Sequence, residues 1–281
     1  MSQIINNVDE TKSEFIMTED FLSMLLSQEE LVVLLRILRA PGILGLDTKF
    51  LNNMSTEQVA AALVAAERSL YARGLIQVNE NENRVDIDAT ALALVGTCLL
   101  PEYTLMAFSN DDNSLPSIHY YHVSSSLAVE FFSREQGLLS FLGTDQAQKL
   151  LPSIENILRL RNQKAPAKQS ICLPEDSFVQ AWENMKSGKR KLAEEIFQKE
   201  KAHKPTFDAL LKSLEKPICN GSVIRLDATT DNKNQTSGFS FIEGKDGIWI
   251  ISPEKKNDTA WVNISPCSAD EVRASICALL N

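Results

Sequence analysis

The chain has 281 residues and 44% hydrophobic side chains, which is enough to bury one large core or two medium ones. Its formal net charge of −9 argues against binding to polyanions, because a phosphate backbone is held by an excess of lysine and arginine. The N-terminus lacks the pattern of a signal peptide, and no apolar run approaches the roughly 18 residues of a membrane helix. We therefore expect a globular cytoplasmic protein that binds no nucleic acid and does not insert into a membrane.

The five cysteines have apolar sequence neighbours and form no Cys-x-x-Cys pair. This pattern is typical of a reducing compartment, where thiols pack as small hydrophobic groups. We predict that the protein holds no metal or other cofactor and that every one of these cysteines is reduced: Cys98, Cys172, Cys219, Cys267 and Cys277.

The first predicted elements follow a polar tail at residues 1–13. Phe15-Ile-Met17 is predicted to be a short strand, and Thr18 to cap a helix with an acidic first turn. Ser27-Gln-Glu-Glu30 is a capping box, and it begins a second helix that is apolar nearly all round until Pro41-Gly42 stops it. This second helix is expected to lie deep in the core.

Ser55-Thr-Glu-Gln58 begins the clearest predicted helix, which ends at Gly74. A hairpin over residues 75–87 and a helix over residues 89–100 follow. The helix and hairpin together have the outline of a winged helix, so a transcriptional regulator is the alternative function. Their exposed side chains include several acidic residues and few bases, which disfavours contact with DNA.

From Glu102 the hydrophobic period changes towards two, which is typical of an antiparallel meander. Thr144 is predicted to cap the helix that follows the meander, with a kink or break at Pro152. The four predicted strands cover residues 103–108, 118–123, 127–132 and 138–141.

The same order of elements recurs after a linker rich in helix-breaking residues. We therefore interpret the chain as α+β, with two related halves at residues 14–161 and 169–281 that pack as one globular unit. The first half is longer by an insertion at residues 75–100, and chance recurrence is the alternative. The predicted second-half elements are a strand at 171–173, helices at 175–186, 189–202 and 207–214, strands at 223–226, 239–242, 248–251 and 261–264, and a helix capped by Ser268.

No pattern of catalytic residues is evident in either half. His119 and His122 are three residues apart on a predicted strand, so they point to opposite faces and cannot share a metal. The sequence has no Gly-x-Ser-x-Gly elbow, and its paired glycines at 42–45 and 244–247 lack the helix and lysine of a phosphate loop. We predict a protein that is not an enzyme, with an unrecognised active site as the alternative.

One stretch resembles a known family. Ala65-Ala-Glu-Arg-Ser-Leu-Tyr-Ala-Arg-Gly-Leu-Ile76, followed by Arg84-Val-Asp-Ile-Asp-Ala-Thr-Ala-Leu-Ala-Leu94, is similar to the EspG family of type VII (ESX) secretion-associated chaperones. In that family a helix ends in Leu-x-x-Arg-Gly-Leu, and a short strand leads through Asp into a leucine-rich helix. Ile171-Cys-Leu-Pro174 before a helix bundle also looks like the family.

The resemblance implies a central antiparallel sheet flanked by two helical bundles in a quasi-two-fold arrangement. It also implies a non-catalytic cytosolic chaperone that binds helical secretion substrates of the PE/PPE type and guides them to type VII export.

Long polar turns at residues 109–116 and 227–237 join predicted strands, and such loops on a rigid sheet often carry binding function. Plain disorder is the alternative. The resemblance implies that clients contact a sheet loop and the second helical bundle, in the manner of a helix in a groove. The predicted partner-binding residues, with a core role as the alternative for the aromatic ones, are Asp111, Asp112, Asn113, Trp182, Phe197 and Phe207.

Overall fold

The computed structural model describes residues 21–79, 84–110, 116–134, 137–228 and 236–281. Its strands are β1 (Leu22–Ser27), β2 (Ile76–Asn79), β3 (Arg84–Ile87), β4 (Tyr103–Asn110), β5 (Ser117–Val123), β6 (Ala128–Ser133), β7 (Leu138–Thr144), β8 (Ile171–Pro174), β9 (Cys219–Asp227), β10 (Thr236–Gly244), β11 (Gly247–Lys256) and β12 (Thr259–Cys267). Its α-helices are α1 (Gln28–Ile37), α2 (Thr56–Ala72), α3 (Ala89–Leu99), α4 (Leu151–Leu158), α5 (Glu175–Lys186), α6 (Arg190–Lys199), α7 (Lys204–Glu215) and α8 (Ala269–Leu280).

Ten of these strands form one antiparallel sheet in the order β1-β7-β6-β5-β4-β9-β10-β11-β12-β8. The two halves of the chain meet at its centre, where β4 pairs with β9 along eight residues, from Tyr103 opposite Asp227 to Asn110 opposite Asn220. From this junction to the sheet edge, the strands of the first half lie in the order β4, β5, β6, β7 and β1. The strands of the second half lie in the matching order β9, β10, β11, β12 and β8. The fold class predicted from the sequence, α+β with a central antiparallel sheet, is confirmed.

The order of helices also recurs, because each half runs strand, three helices, four-stranded meander and closing helix. The hairpin β2–β3 lies between α2 and α3 and has no counterpart between α6 and α7. The predicted insertion at residues 75–100 is thus too long, since α3 and α7 hold the same place in the order. Duplication of one ancestral half stays a prediction.

The start of the first half differs from the predicted pattern. Residues 22–27 form the edge strand β1 rather than the continuation of a helix begun at Thr18, because every residue of β1 pairs with β7. The short apolar stretch alternates, with Met24 and Leu26 buried, and a strand buries these side chains where a helix would not. Phe15-Ile-Met17 and Thr18 lie outside the described residues.

The predicted helix cap at Thr144 is likewise wrong. Thr144 ends β7, a turn of 3-10 helix follows, and Pro152 occupies the first turn of α4, where its missing N–H breaks no hydrogen bond. The predicted capping boxes at Ser27 and Ser55 are confirmed, and each serine accepts a hydrogen bond from the backbone N–H three residues on.

Helices cover both faces of the sheet. Consecutive strand residues point to opposite faces, and on β11 Ile250 packs towards α4 and α8 whereas Ile251 packs towards α5–α7. A further hydrophobic cluster packs α1–α3 against the first-half strands, on the same face of the sheet as α5–α7. The sheet therefore carries two three-helix bundles on one face, called the bundle face below, and the closing helices on the other. Within the described residues, no helix has the length and apolarity needed to cross a bilayer.

The Leu-x-x-Arg-Gly-Leu stretch joins α2 to the rest of the first bundle. At the end of α2, Arg73 donates to both carboxylate oxygens of Glu30 at 3.0 and 2.9 Å and to the carbonyl of Leu25 on β1 at 2.7 Å. Ser69 donates to the same carboxylate at 2.7 Å. Gly74 follows with φ +71°, the left-handed conformation that ends a helix without steric strain. This motif is therefore explained by packing.

A glycine at the central junction provides a test of how tightly the halves are joined. A Cβ on Gly221 would lie 2.1 Å from the backbone oxygen of Phe108 on the neighbouring strand. Gly221→Ala is expected to lower the free energy of unfolding by about 1–3 kcal/mol, because β4 and β9 must separate. Chemical denaturation measures this loss, and Gly96→Ala within α3, where nothing approaches within 4 Å, is the control and should be neutral or stabilising. Equal stability of both variants would contradict the close approach.

Candidate functional site

An apolar groove lies on the bundle face between α5 and strands β9–β12. It has a volume of about 520 Å³, within the range of pockets that accommodate a ligand or the anchor side chains of a partner. Its floor and its α5 wall are mainly hydrophobic, and they are formed by Phe108, Ile224, Ile242, Ile251 and Val262 and by Phe178, Val179 and Trp182.

The groove arises from the way α5 packs. Phe178, Ala181 and Met185 recur at helical spacing and are buried against the sheet and the other helices of the bundle. Val179 and Trp182 extend the apolar surface of α5 beyond this buried stripe, and the Val179 side chain is 52% exposed. An apolar wall thus stands open to solvent above an apolar floor.

Trp182 is fixed in place by its neighbours. Its ring meets that of Phe178 edge to face at 5.7 Å between centroids, and the Lys186 ammonium lies 5.5 Å from the indole centroid. These contacts restrict the half-buried ring before any partner arrives, so that little side-chain freedom is lost on binding.

The two sides of the groove differ in charge. The α5 side of the groove carries the exposed carboxylates of Glu175 and Glu183, and the polar residues that the sheet contributes, Asn220, Thr236 and Ser237, are neutral. On the floor, the hydroxyls of neighbouring strands satisfy each other, with Ser222 and Ser240 oxygens 2.8 Å apart. The groove therefore suits an apolar group that is flanked by positive charge.

Among the partner-binding residues predicted from the sequence, Trp182 lines the groove. Phe197 and Phe207 do not, because both are fully buried and stack on each other at 5.7 Å inside the α5–α7 bundle. They take the core role that was the alternative. Asp111, Asp112 and Asn113 lie outside the described residues, although β4 ends beside the groove, where Asn110 pairs with Asn220.

Sequence reasoning missed Val179 and the floor residues. The sequence offered one indication of Val179: an apolar residue at this position makes the apolar stripe of α5 wider than packing against one surface requires. The floor carried none, because Phe108 and Ile224 come from distant parts of the sequence and meet only through the pairing of β4 with β9.

A buried polar network under α4 contains serine, histidine and glutamate, but not in a catalytic order. His119 Nδ1 lies 2.6 Å from Glu130 Oε1, and Ser153 donates to that same oxygen at 2.6 Å. The carboxylate thus stands between the serine and the histidine, whereas a nucleophile requires the imidazole as its immediate neighbour. The network satisfies the polar groups beneath α4.

His122 lies on the opposite face of the sheet from His119, as the spacing predicted. Its Nδ1 is 3.0 Å from the Thr104 hydroxyl, and within the described residues its Nε2 has no partner at hydrogen-bonding geometry. Burial lowers the pKa of His122 to about 4, and the nearby Leu44 backbone offsets this only in part. The neutral imidazole is a component of the folded core.

Comparison with known structures places the chain in a structural class. The Mycobacterium tuberculosis type VII secretion system chaperone EspG5, solved in complex with a PE25–PPE41 dimer, matches with a TM-score of 0.63 at 13% sequence identity. The match covers 92% of this chain and 95% of that chain. The fold is therefore that of an EspG-type secretion chaperone, and the resemblance seen in the sequence is confirmed at the level of the fold.

The sequence profile of the family described as uncharacterised protein YfjC matches residues 42–276. The chain belongs to this YfjC family. No curated protein sequence is similar enough to this chain to count as a match.

Proposed function

We propose that the protein is a non-catalytic cytosolic chaperone that binds a helical client through the groove beside α5 and delivers it to type VII export. The observation that carries the proposal is the open apolar wall of Val179 and Trp182 above an apolar floor. Isolated exposed apolar residues are normal, but a preformed apolar groove indicates a binding surface.

The chemistry of the groove favours the tip of a helical client, with apolar anchors that enter the groove in the helix-in-groove manner. Glu175 and Glu183 favour a lysine or arginine next to these anchors. Both carboxylates are exposed, so their contribution is mainly to orientation and association rate, and each ion pair is worth about 0.2–1 kcal/mol.

The similarity in fold supports this function. The EspG5 protein that shares the fold is a chaperone solved with a PE25–PPE41 dimer, and we infer a client of the PE/PPE type for this chain by analogy. The loop residues Asp111, Asp112 and Asn113 are proposed to extend the contact, because they continue from the end of β4 beside the groove.

The test is a charge placed in the groove. Val179→Lys is expected to abolish capture of a helical secretion substrate from the native cytoplasm and to weaken binding of the purified client at least tenfold, or about 1.4 kcal/mol. The added ammonium stands in the apolar wall of the groove, and it would lose its hydration when the apolar anchors of a client close over it.

The matched control is Leu192→Lys on α6, where a side chain of similar exposure, 46% against 52%, lies outside the groove. It should leave capture and affinity unchanged, and melting temperatures check that both variants fold. Identical capture by wild type and both variants, or capture of partners without a helical tip, would refute the proposed function.

A further inference from the structure

A cysteine and a lysine meet near the edge of the sheet, on the face opposite the α5–α7 bundle. Cys172 lies on the edge strand β8 between Ile171 and Leu173, which are buried against that bundle, so the Cys172 side chain points to the other face. Lys256 ends β11, two strands away, and its Nζ lies 2.8 Å from the Cys172 sulfur. The two side chains therefore connect β8 to β11 across β12.

This distance is short for a contact to sulfur. The remaining thiol contacts within the described residues lie between 3.4 and 3.8 Å, because sulfur is larger than nitrogen or oxygen. When two atoms are bonded to one common atom they stand roughly 2.5 Å apart, and slightly farther when one of them is sulfur. The Cys172 sulfur and the Lys256 nitrogen are thus spaced for a single oxygen atom between them.

Further contacts hold Lys256 in this position. Its ammonium lies 4.8 Å from the ring centroid of Trp261 and 3.5 Å from a carboxylate oxygen of Glu254. The same carboxylate lies 3.4 Å from the Cys172 sulfur, so that acid, amine and thiol form one cluster. A lysine restrained on three sides keeps its nitrogen beside the sulfur, and this proximity favours a reaction between the two.

Cys172 is also accessible to a small reagent. It is half-buried, whereas Cys98, Cys219 and Cys267 are buried. Cys277 is half-buried as well, but no lysine of the described chain lies within hydrogen-bonding distance of its sulfur. Cys172 therefore combines access for an oxidant with an amine in contact.

We propose that Cys172 and Lys256 are a modification site, at which a hydroperoxide oxidises the pair to an N–O–S cross-link. The cross-link ties the edge strand β8, which leads directly into α5, to β11 in the interior of the sheet. A dithiol reductant returns both side chains to their reduced forms. The inference does not depend on client binding, since the groove lies on the opposite face of the sheet.

The reaction consists of two oxidations by two electrons each. The Cys172 thiolate, whose charge the Lys256 ammonium stabilises, attacks one oxygen of hydrogen peroxide. The O–O bond breaks, the sulfur becomes a sulfenic acid, and the departing hydroxide takes a proton from the ammonium and leaves as water. A second peroxide then removes one hydrogen from the amine and one from the sulfenic acid, the N–O bond forms, and two waters are released.

The charge state of Lys256 changes in the direction that the second oxidation needs. The pKa of Lys256 is raised in the reduced protein, first by its hydrogen bond to Cys172 and to a smaller degree by Glu254. A neutral sulfenic acid no longer stabilises the ammonium, so the largest cause of the raised pKa is lost after the first step. The neutral amine, which is the nucleophile, then forms more readily.

The test uses the full-length protein, treated with a small excess of hydrogen peroxide and then digested with trypsin for mass spectrometry. We expect a linked pair of peptides that contains Cys172 and Lys256. Its mass should exceed that of the two separate peptides by one oxygen less two hydrogens, about 14 Da. Treatment with dithiothreitol should resolve the pair into two unmodified peptides.

Lys256→Arg is the informative variant, because it keeps a cation beside Trp261 and Cys172 but removes the amine. It should give no linked peptides, and Cys172 should proceed to sulfinic acid, about 32 Da heavier. Lys255→Met is the matched control, since the neighbouring Lys255 pairs with Asp258 at 2.8 Å instead. This variant should cross-link as the wild type does, and melting temperatures check that both variants fold.

The inference would be overturned by linked peptides in the Lys256→Arg variant or by a link from Cys172 to another lysine. Oxidation of wild-type Cys172 to sulfinic acid without any cross-link would overturn it too. Linked peptides that have lost two hydrogens and gained no oxygen would also contradict it, because the sulfur would then be bonded directly to nitrogen.

Discussion

Replacing Arg73 with Met is expected to lower the free energy of unfolding by about 3 kcal/mol. The change leaves the Glu30 carboxylate, whose side chain is 6% exposed, without the Arg73 Nη1 group that donates to both of its oxygens. Breaking a buried ion pair from one side typically costs about 3–5 kcal/mol. The lower end applies here because Arg73 is 27% exposed and because Ser69 and the Ser27 backbone still donate to the carboxylate.

Urea denaturation at neutral pH measures this loss. Arg84→Met is the matched control, because the ion pair of Arg84 with Asp86 is exposed on the β2–β3 hairpin and should be worth less than about 1 kcal/mol. The double variant Arg73→Met, Glu30→Gln should recover part of the loss, since no charge is then left buried. If Arg73→Met were no more destabilising than Arg84→Met, this ion pair would not hold α2 to α1 and β1.

Acidification from pH 6.5 to pH 4 is expected to remove about 3 kcal/mol of stability through His122 alone. Burial lowers the pKa of His122 in the folded protein to about 4, against 6.5 for an ordinary histidine. Below pH 6.5 the unfolded chain takes up a proton that the native imidazole does not, so the unfolded state is favoured. Each pKa unit corresponds to about 1.36 kcal/mol, and the effect is complete once the pH falls below 4.

The matched variant is His122→Gln, which remains uncharged at every pH and can still bond to Thr104. Its stability should fall less steeply between pH 6.5 and 4 than that of the wild type, whatever its absolute stability. Other titrating groups are common to both proteins and cancel in the difference. Glu243, whose pKa is raised by burial and so acts with the opposite sign, is one of them. Parallel pH profiles would show that His122 titrates normally.

Local patterns in the sequence determined most of the helices and strands. Ser27 and Ser55 mark helix starts because a capping box satisfies backbone donors within four residues. The α5 helix at Glu175–Lys186 and the meander strands follow from their hydrophobic periods of 3.6 and two. The repeated order of elements, and with it an α+β fold of two halves, was readable from the sequence for the same reason.

Tertiary contacts decided the elements whose local signal was weak or mixed. Residues 22–27 follow an acidic stretch typical of a helix start, yet pairing with β7 makes them an edge strand. Phe197 and Phe207 were predicted to bind a partner, but they pack on each other inside the α5–α7 bundle. The apolar face of an amphipathic helix has the same sequence pattern in both cases, so the sequence did not distinguish a binding aromatic from a core aromatic.

The groove itself depended on the tertiary structure alone. Its floor combines Phe108 with Ile224, which become neighbours only when β4 pairs with β9. The sequence determined which segments are helices, strands and turns because those signals are local. Which apolar surface stays uncovered follows from how distant segments pack, and no local pattern encodes that.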